Sequence, residues 1–179
     1  KIKKTKIALL DRDGVINTEV NYLHRIRDFE YTYKCKDALL QLIKKGFKLM
    51  IVTNQAGIAK GIFTEEEYFK LTDFYMQDLF KDNIPIHDVF YCPHHLDGVL
   101  KFFSKECDCR KPMPGMLNQA IERFDIDVSQ SIMVGDKISD LQAAQAAGIK
   151  TKILVKSGKA VTDEGKEIAD EVWQSLSIR

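Results

Sequence analysis

The stretch Ile7-Ala8-Leu9-Leu10-Asp11-Arg12-Asp13-Gly14-Val15 decides the fold. Its short apolar run reads as a buried parallel strand. The run ends abruptly in two carboxylates two residues apart, followed by a glycine that lets the chain turn. Open parallel sheets bind ligands at the carboxyl ends of their strands, and side chains two apart share one side of an extended chain. Asp11 and Asp13 can therefore converge on one small ligand. The alternative is a surface turn that caps the strand, because Asp and Gly are ordinary turn residues.

Outward from this strand the pattern alternates. Residues 17–33 are polar and aromatic without clear periodicity and read as a loop over the active end of the strand. Ala38, Leu39, Leu42 and Ile43 have the spacing of one helical face, which predicts a helix over 36–45 stopped by Gly46. A second strand over 47–52 ends in Thr53-Asn54-Gln55-Ala56-Gly57. Thr64-Glu65-Glu66-Glu67 is a capping box opening a helix to about residue 80, and 88–92 reads as a short third strand. Residues 93–114 are irregular and too long for an ordinary connection, so something must hold them. A helix over 116–124 leads to a fourth strand over 132–134, ending at Gly135-Asp136-Lys137. Ser139-Asp140-Leu141-Gln142 reads as a second capping box, for an Ala-rich helix running to Gly148; a fifth strand over 151–155 and a short amphipathic tail from about 162 follow. Five strands separated by helices predict a doubly wound, Rossmann-like parallel α/β sheet with helices on both faces, in one domain over 1–179 with a loop insertion at about 92–110.

Composition narrows the function. With 27 basic and 26 acidic residues the formal net charge is +1, which leaves no electrostatic footprint for nucleic acid or anionic lipid. The expected partner is a small molecule. Lys1, Lys3, Lys4 and Lys6 resemble the start of a signal peptide, but only the run to Leu10 follows, too short for its apolar core. With no apolar run of membrane-spanning length, a cytoplasmic protein is expected, from a chain whose start at Lys1 without Met reads as a trimmed end. Of the four cysteines, Cys92, Cys107 and Cys109 lie close together, and in a reducing compartment such clustering favours metal over disulfide. Isolated Cys35 reads as buried filler.

Cys92-x-His94, then twelve intervening residues, then Cys107-x-Cys109 offers three thiols and an imidazole, a set suited to tetrahedral Zn²⁺ in a closed structural site. Adjacent His95 is a rival ligand, and the alternative is that these are unrelated thiols on a loop. The loop runs directly into Arg110-Lys111-Pro112, so a metal there would fix the lysine.

Asp11 and Asp13, Thr53 and Asn54, and Asp136 and Lys137 each follow a strand whose carboxyl end points the same way. In their order along the chain, Asp11-Arg12-Asp13-Gly14-Val15, then Thr53-Asn54, then Lys111, then Gly135-Asp136-Lys137 with Asp140 resemble the four motifs of haloacid dehalogenase superfamily phosphatases. The resemblance spans nearly the whole chain. It implies Asp11 as nucleophile forming an aspartyl-phosphate, Asp13 as general acid and base, and Thr53 and Lys111 as stabilisers of the phosphoryl oxygens. Two anions repel as they approach, so a hard divalent cation is needed and Mg²⁺ fits; the resemblance implies Asp11, Asp136 and the main-chain carbonyl of Asp13 as its ligands.

Within the superfamily, Cys92-Pro93-His94-His95 and Cys107-Asp108-Cys109-Arg110-Lys111-Pro112-x-Pro114-Gly115-Met116 resemble two zinc-bearing branches, the heptose bisphosphate phosphatases and the histidinol-phosphate phosphatases. The long interval between His94 and Cys107, Thr53-Asn54-Gln55-x-Gly57-Ile58-Ala59 and Tyr22-x-His24 resemble the heptose branch. There Cys92, His94, Cys107 and Cys109 match the zinc ligands. Arg110 matches a reader of the sugar's other phosphate, and Glu19, Val20, Asn21 and Tyr22 line the sugar site. Arg12, Thr53, Asn54, Gln55, Ala56, Lys111 and Lys137 complete the substrate contacts the resemblance implies. Asn21 stands where a glycine is expected, and Val15 replaces a common Thr. The expectation is a monomeric Mg-dependent phosphatase acting on a heptose bisphosphate on the way to nucleotide-activated heptose. The alternatives are a histidinol-phosphate phosphatase and a catalytically silent sugar-phosphate-binding module.

Overall fold

A computed structural model describes residues 4–157 and 161–177; Lys1 and Lys3 of the basic start lie outside them. In chain order the elements are β1 (Ile7–Leu10), α1 (Cys35–Lys44), β2 (Lys48–Asn54), α2 (Ala56–Ala59), α3 (Glu65–Lys81), β3 (Ile86–Cys92), α4 (Gly115–Phe124), β4 (Ile132–Gly135), α5 (Ile138–Ala147), β5 (Thr151–Val155), α6 (Asp163–Ile168) and β6 (Glu171–Trp173). A single 3-10 turn, Ile26–Asp28, interrupts the loop after β1.

The strands form one parallel sheet of six in the order β3-β2-β1-β4-β5-β6. β1 lies at its centre because all four of its residues are apolar and none is exposed. The sheet grows from β1 to one side through β2 and β3, then restarts on the other side with β4. That reversal opens a crevice between the ends of β1 and β4, the place where such sheets hold ligands. Leu10 pairs with Val134, and the Asp11 N–H donates to the Val134 carbonyl at 2.9 Å, so Asp11 and Asp136 leave the sheet side by side.

The twofold alternation of strand side chains sorts the core into two layers. Ala8 and Leu10 face α1 and α3 through Leu39, Leu42, Leu71, Tyr75 and Leu79. Ile7 and Leu9 face α4 and α5 through Leu117, Ala120, Ala143 and Ala144. Cys35 lies in the first layer, where burial pushes its thiol up to about 12, consistent with filler. No helix among the described residues is long and apolar enough to cross a membrane.

The elements follow the expectations, with three differences. The tail carries α6, capped by Thr162 Oγ1 accepting from Gly165 N at 3.1 Å, and a sixth strand, β6, paired to β5. The four residues of α2 are too few to display a helical period. The second capping box is displaced: Lys137 is the N-cap of α5, and Asp140 accepts from its backbone N–H at 3.1 Å, because Asp140 is also drawn inward to a buried lysine.

The capping box of α3 is as expected, with Thr64 Oγ1 accepting from Glu67 N at 3.1 Å and Glu67 accepting from Thr64 N at 3.1 Å. Thr64→Ala should therefore cost about 1 kcal/mol in a urea titration with an unchanged slope. A loss indistinguishable from zero would mean that tertiary packing alone sets where α3 starts.

Candidate active site

The end of β1 delivers Asp11, 7% exposed, into the crevice. Gly14 turns the chain back at φ +86°, and a Cβ there would sit 2.3 Å from Asp136 Oδ2. The turn needs glycine twice over, for its backbone conformation and for the closeness of the carboxylate. Asp11, Asp136 and Asp140 each offer an oxygen within 4.8 Å of the others. Asp140 engages one oxygen with Lys111 Nζ and the other with Lys137 N, so the ligand oxygens for a cation would come from Asp11 and Asp136.

Lys111 is buried under this group. Its ammonium lies 3.0 Å from Asp11 Oδ1 and 2.5 Å from Asp140 Oδ1, and it donates to the Val52 carbonyl at 2.9 Å. Burial works against its charge, but Asp11 and Asp140 outweigh burial and hold its pKa above the ordinary lysine value. Asn54 sets where the lysine enters: its Oδ1 accepts from Lys111 N at 3.0 Å, and its Nδ2 donates to Lys111 O at 3.2 Å. Asp11 is raised well above the usual carboxylate range, first by burial, then by Asp140, with Asp136 and Asp13 adding to it against Lys111. Carboxylates so crowded around one ammonium have the chemistry of a site for a hard divalent cation.

Asp13 is held by Arg12 Nη2 and Asn17 Nδ2, each donating to its Oδ1 at 3.0 Å. Gln55 Nε2 lies 3.5 Å from its Oδ2 and donates to Thr53 Oγ1 at 2.9 Å. Thr53 is fully buried at the floor. Arg12, 1% exposed, lies beneath Asp13 and does not line the cleft.

Above this floor opens a cleft of about 520 Å³. One wall is the loop after β1, with Glu19, Val20, Asn21 and Tyr22; the other carries Arg110 and Lys111, with Asn54, Gln55 and Ala56 between them and Lys137 at the rim. Tyr22 rather than Asn21 takes the left-handed conformation, at φ +55°, so the backbone at 21 makes no demand for glycine. Arg110 Nη1 is buried with no hydrogen-bond partner among the described residues. Lys60 and His95 also line the cleft, and sequence reading missed both as cleft residues.

His95 is excluded from the thiol cluster by this placement. Its Nδ1 accepts from Asp97 N at 2.9 Å. Burial, then Arg110 and Lys60, hold its pKa below the usual histidine value. His94 instead brings Nδ1 to 3.4 Å from Cys109 Sγ and 3.7 Å from Cys92 Sγ. Cys109 Sγ lies 2.6 Å and Cys107 Sγ 3.5 Å from Cys92 Sγ, so the ligand atoms of Cys92, His94, Cys107 and Cys109 converge within 4.8 Å. Contact with Cys92, then burial, raises the Cys109 thiol. Such a cluster is chemically fit to hold a metal ion.

The chain is 51% identical over 160 residues to the D-glycero-alpha-D-manno-heptose-1,7-bisphosphate 7-phosphatase of Photorhabdus laumondii, covering 89% of this chain and 87% of that protein. It is 45% identical over 175 residues to the D-glycero-beta-D-manno-heptose-1,7-bisphosphate 7-phosphatase of Escherichia coli K12, covering 98% and 92%. The chain belongs to the heptose-1,7-bisphosphate 7-phosphatase family. The family model of HAD-like hydrolases matches residues 108–177. Among solved structures, the heptose bisphosphate phosphatase of B. bronchiseptica, complexed with magnesium and phosphate, is similar at TM-score 0.80 and 28% identity, covering 97% of this chain and 95% of that one. As a member of this heptose bisphosphatase family the chain is a phosphoric monoester hydrolase.

Gly14 gives a test of the crevice. Gly14→Ala should lower stability by more than about 1 kcal/mol and hydrolysis of p-nitrophenyl phosphate by at least about tenfold, since the strained φ and the displaced Asp136 act together. Unchanged rates in a folded variant would mean that the spacing between Gly14 and Asp136 is not needed for turnover.

Proposed function

We propose that the chain removes the 7-phosphate of D-glycero-D-manno-heptose 1,7-bisphosphate, leaving heptose 1-phosphate, in the supply of nucleotide-activated heptose for cell-surface polysaccharide. The observation that carries this reading is Arg110: its Nη1 is buried in the cleft with no partner among the described residues, directly beside the lysine of the phosphoryl site. A guanidinium so placed suits an anion at the far end of a substrate whose near end is being cut. The names of the relatives agree with a bisphosphate.

In the proposed mechanism an Asp11 oxygen attacks phosphorus while the bond to the sugar oxygen breaks, and Asp13 gives that oxygen its proton. Asp13 then takes a proton from water, whose oxygen attacks the aspartyl-phosphate; inorganic phosphate leaves and Asp11 regains its carboxylate. Lys111 and Thr53 face the charge on the phosphoryl oxygens, and Lys111 is held ready by Asp140 and by the Asn54 clamp. Mg²⁺, held by Asp11, Asp136 and the Asp13 carbonyl, would offset the repulsion between carboxylate and phosphate. Zn²⁺ on Cys92, His94, Cys107 and Cys109 would tie down the loop that runs into Arg110 and Lys111. Arg12 would act through Asp13, and Glu19, Val20, Asn21, Tyr22, Gln55, Ala56 and Lys137 would surround the sugar. The protein is read as one domain working as a cytoplasmic monomer.

The deciding experiment measures phosphate release with Mg²⁺ for heptose 1,7-bisphosphate and for histidinol phosphate. Preference for the bisphosphate by two orders of magnitude or more in kcat/KM supports the reading; the opposite preference assigns the chain to the histidinol-phosphate branch. Asp11→Asn should lose at least about 10³-fold in kcat, the scale on which nucleophile removal acts. Metal analysis should find about one zinc per chain, lost in Cys109→Ser together with activity.

A further inference from the structure

We propose that Lys60 and His95 complete, with Arg110, the subsite for a second phosphoryl group of the substrate, and so set the preference for a bisphosphate over a monophosphate. The inference rests on the bisphosphatase reading and adds Lys60 and His95, to which the sequence reading gave no substrate contact.

All three side chains line the cleft that also holds Asp13 and Lys111. Each is fixed in a way that leaves it a donor. Lys60 Nζ is steered by Tyr22, donating to its hydroxyl at 2.9 Å and lying 5.4 Å from its ring centroid. Tyr22 itself is held at a left-handed φ of +55°, the kind of backbone strain that persists where a side chain must point to a ligand. An ammonium has three donors, so others remain for an anion. His95 has Nδ1 committed as acceptor to Asp97 N at 2.9 Å, which puts the ring proton of the neutral form on Nε2. Arg110 adds a buried Nη1 with no partner among the described residues. No carboxylate among the described residues forms an ion pair with Lys60 or Arg110, whereas Lys111 in the same cleft is fully engaged by Asp11 and Asp140.

The three come from separate parts of the chain, and the backbone sutures them. The carbonyl of Ala59, next to Lys60, accepts from both Val99 N at 2.9 Å and Leu100 N at 3.0 Å, while Gly98 N donates to the His95 carbonyl at 3.1 Å. Gly98 permits this approach, since a Cβ there would lie 2.8 Å from the Ala59 carbonyl oxygen. The loop of the thiol cluster is thus tied beside Lys60 close to His95, and Arg110 joins them in the lining of the same cleft. Two cations that converge without a carboxylate in ion-pair range of either repel one another, and a dianionic phosphate relieves that repulsion.

The test compares kcat/KM for heptose 1,7-bisphosphate and heptose 7-phosphate, which differ only in the second phosphate, in the wild type, Lys60→Met, His95→Ala, Lys60→Arg and His95→Gln. Wild type should favour the bisphosphate, and Lys60→Met and His95→Ala should each lower that ratio by about tenfold or more, mainly through KM for the bisphosphate. The Arg and Gln variants, which keep a donor, should recover most of the ratio. Equal losses on both substrates, or an unchanged ratio, would overturn the assignment. If the wild type itself shows no preference between the two, the bisphosphatase reading fails and the subsite falls with it. A preference that survives both Lys60→Met and His95→Ala removes the subsite alone.

Discussion

Everything at the active end depends on one buried ammonium. Lys111 Nζ reaches Asp11 and Asp140 within 3.0 Å, far from water, in a crevice that also receives Asp136. Burial alone would discharge a lysine, and burial alone would protonate an aspartate. The lysine keeps its charge because two carboxylates face it, but one ammonium cannot satisfy the carboxylates gathered there, and Asp11, buried and then crowded by Asp140, has a raised pKa. The constraint has two consequences. The lysine must be delivered to a fixed point, and the residual negative charge must have another counter-ion.

Delivery explains the middle of the chain. Lys111 belongs to no helix or strand, so its position is borrowed from elements that have one. Asn54, the last residue of β2, clamps the lysine's backbone at both N–H and carbonyl. On the other side, the side chains of Cys107 and Cys109 converge with Cys92, the last residue of β3. Two neighbouring strands thus anchor the irregular segment at both ends. The same anchoring carries Arg110 and His95 into the lining of the cleft, so one loop supplies the buried lysine and part of the cleft around it.

Much of this was legible in the sequence because the signals were local. The apolar run to Leu10, the Asp-x-Asp-Gly turn and the Thr64 capping box each announce themselves within a few residues, and the fold places them as expected. The convergence of thiols was legible from spacing, though the choice of His94 over His95 needed the direction of each ring. What stayed hidden was decided at long range. β6 has three residues and exists because β5 offers an edge, with Trp173 filling the core. Asp140 is named in the fourth motif of the resemblance and starts a helix by its pattern, but its ion pair with Lys111, 29 positions earlier, is set only by the fold. Lys60 follows Gly57-Ile58-Ala59 with no local signal of its own; its place in the cleft depends on Ala59 being tied to a loop some forty residues away.

Arg12 shows how far the same logic extends. Its guanidinium is 1% exposed, a placement that costs a desolvation penalty no surface arginine bears. Nη2 holds Asp13 Oδ1 at 3.0 Å, the Asn17 amide holds the same oxygen at 3.0 Å, and Nη2 also reaches the Leu23 carbonyl at 3.4 Å. Two donors on one oxygen fix the carboxylate's rotation and leave Oδ2 turned toward Gln55 at the cleft. Under the proposed mechanism, in which this carboxylate gives a proton to the leaving oxygen and later takes one from water, the fixed orientation would keep both transfers at hydrogen-bond range. Polar interactions of this kind add little to stability, yet they select a single arrangement. The crevice is therefore built on two buried cations: a lysine held between Asp11 and Asp140, and an arginine that aims the carboxylate of Asp13.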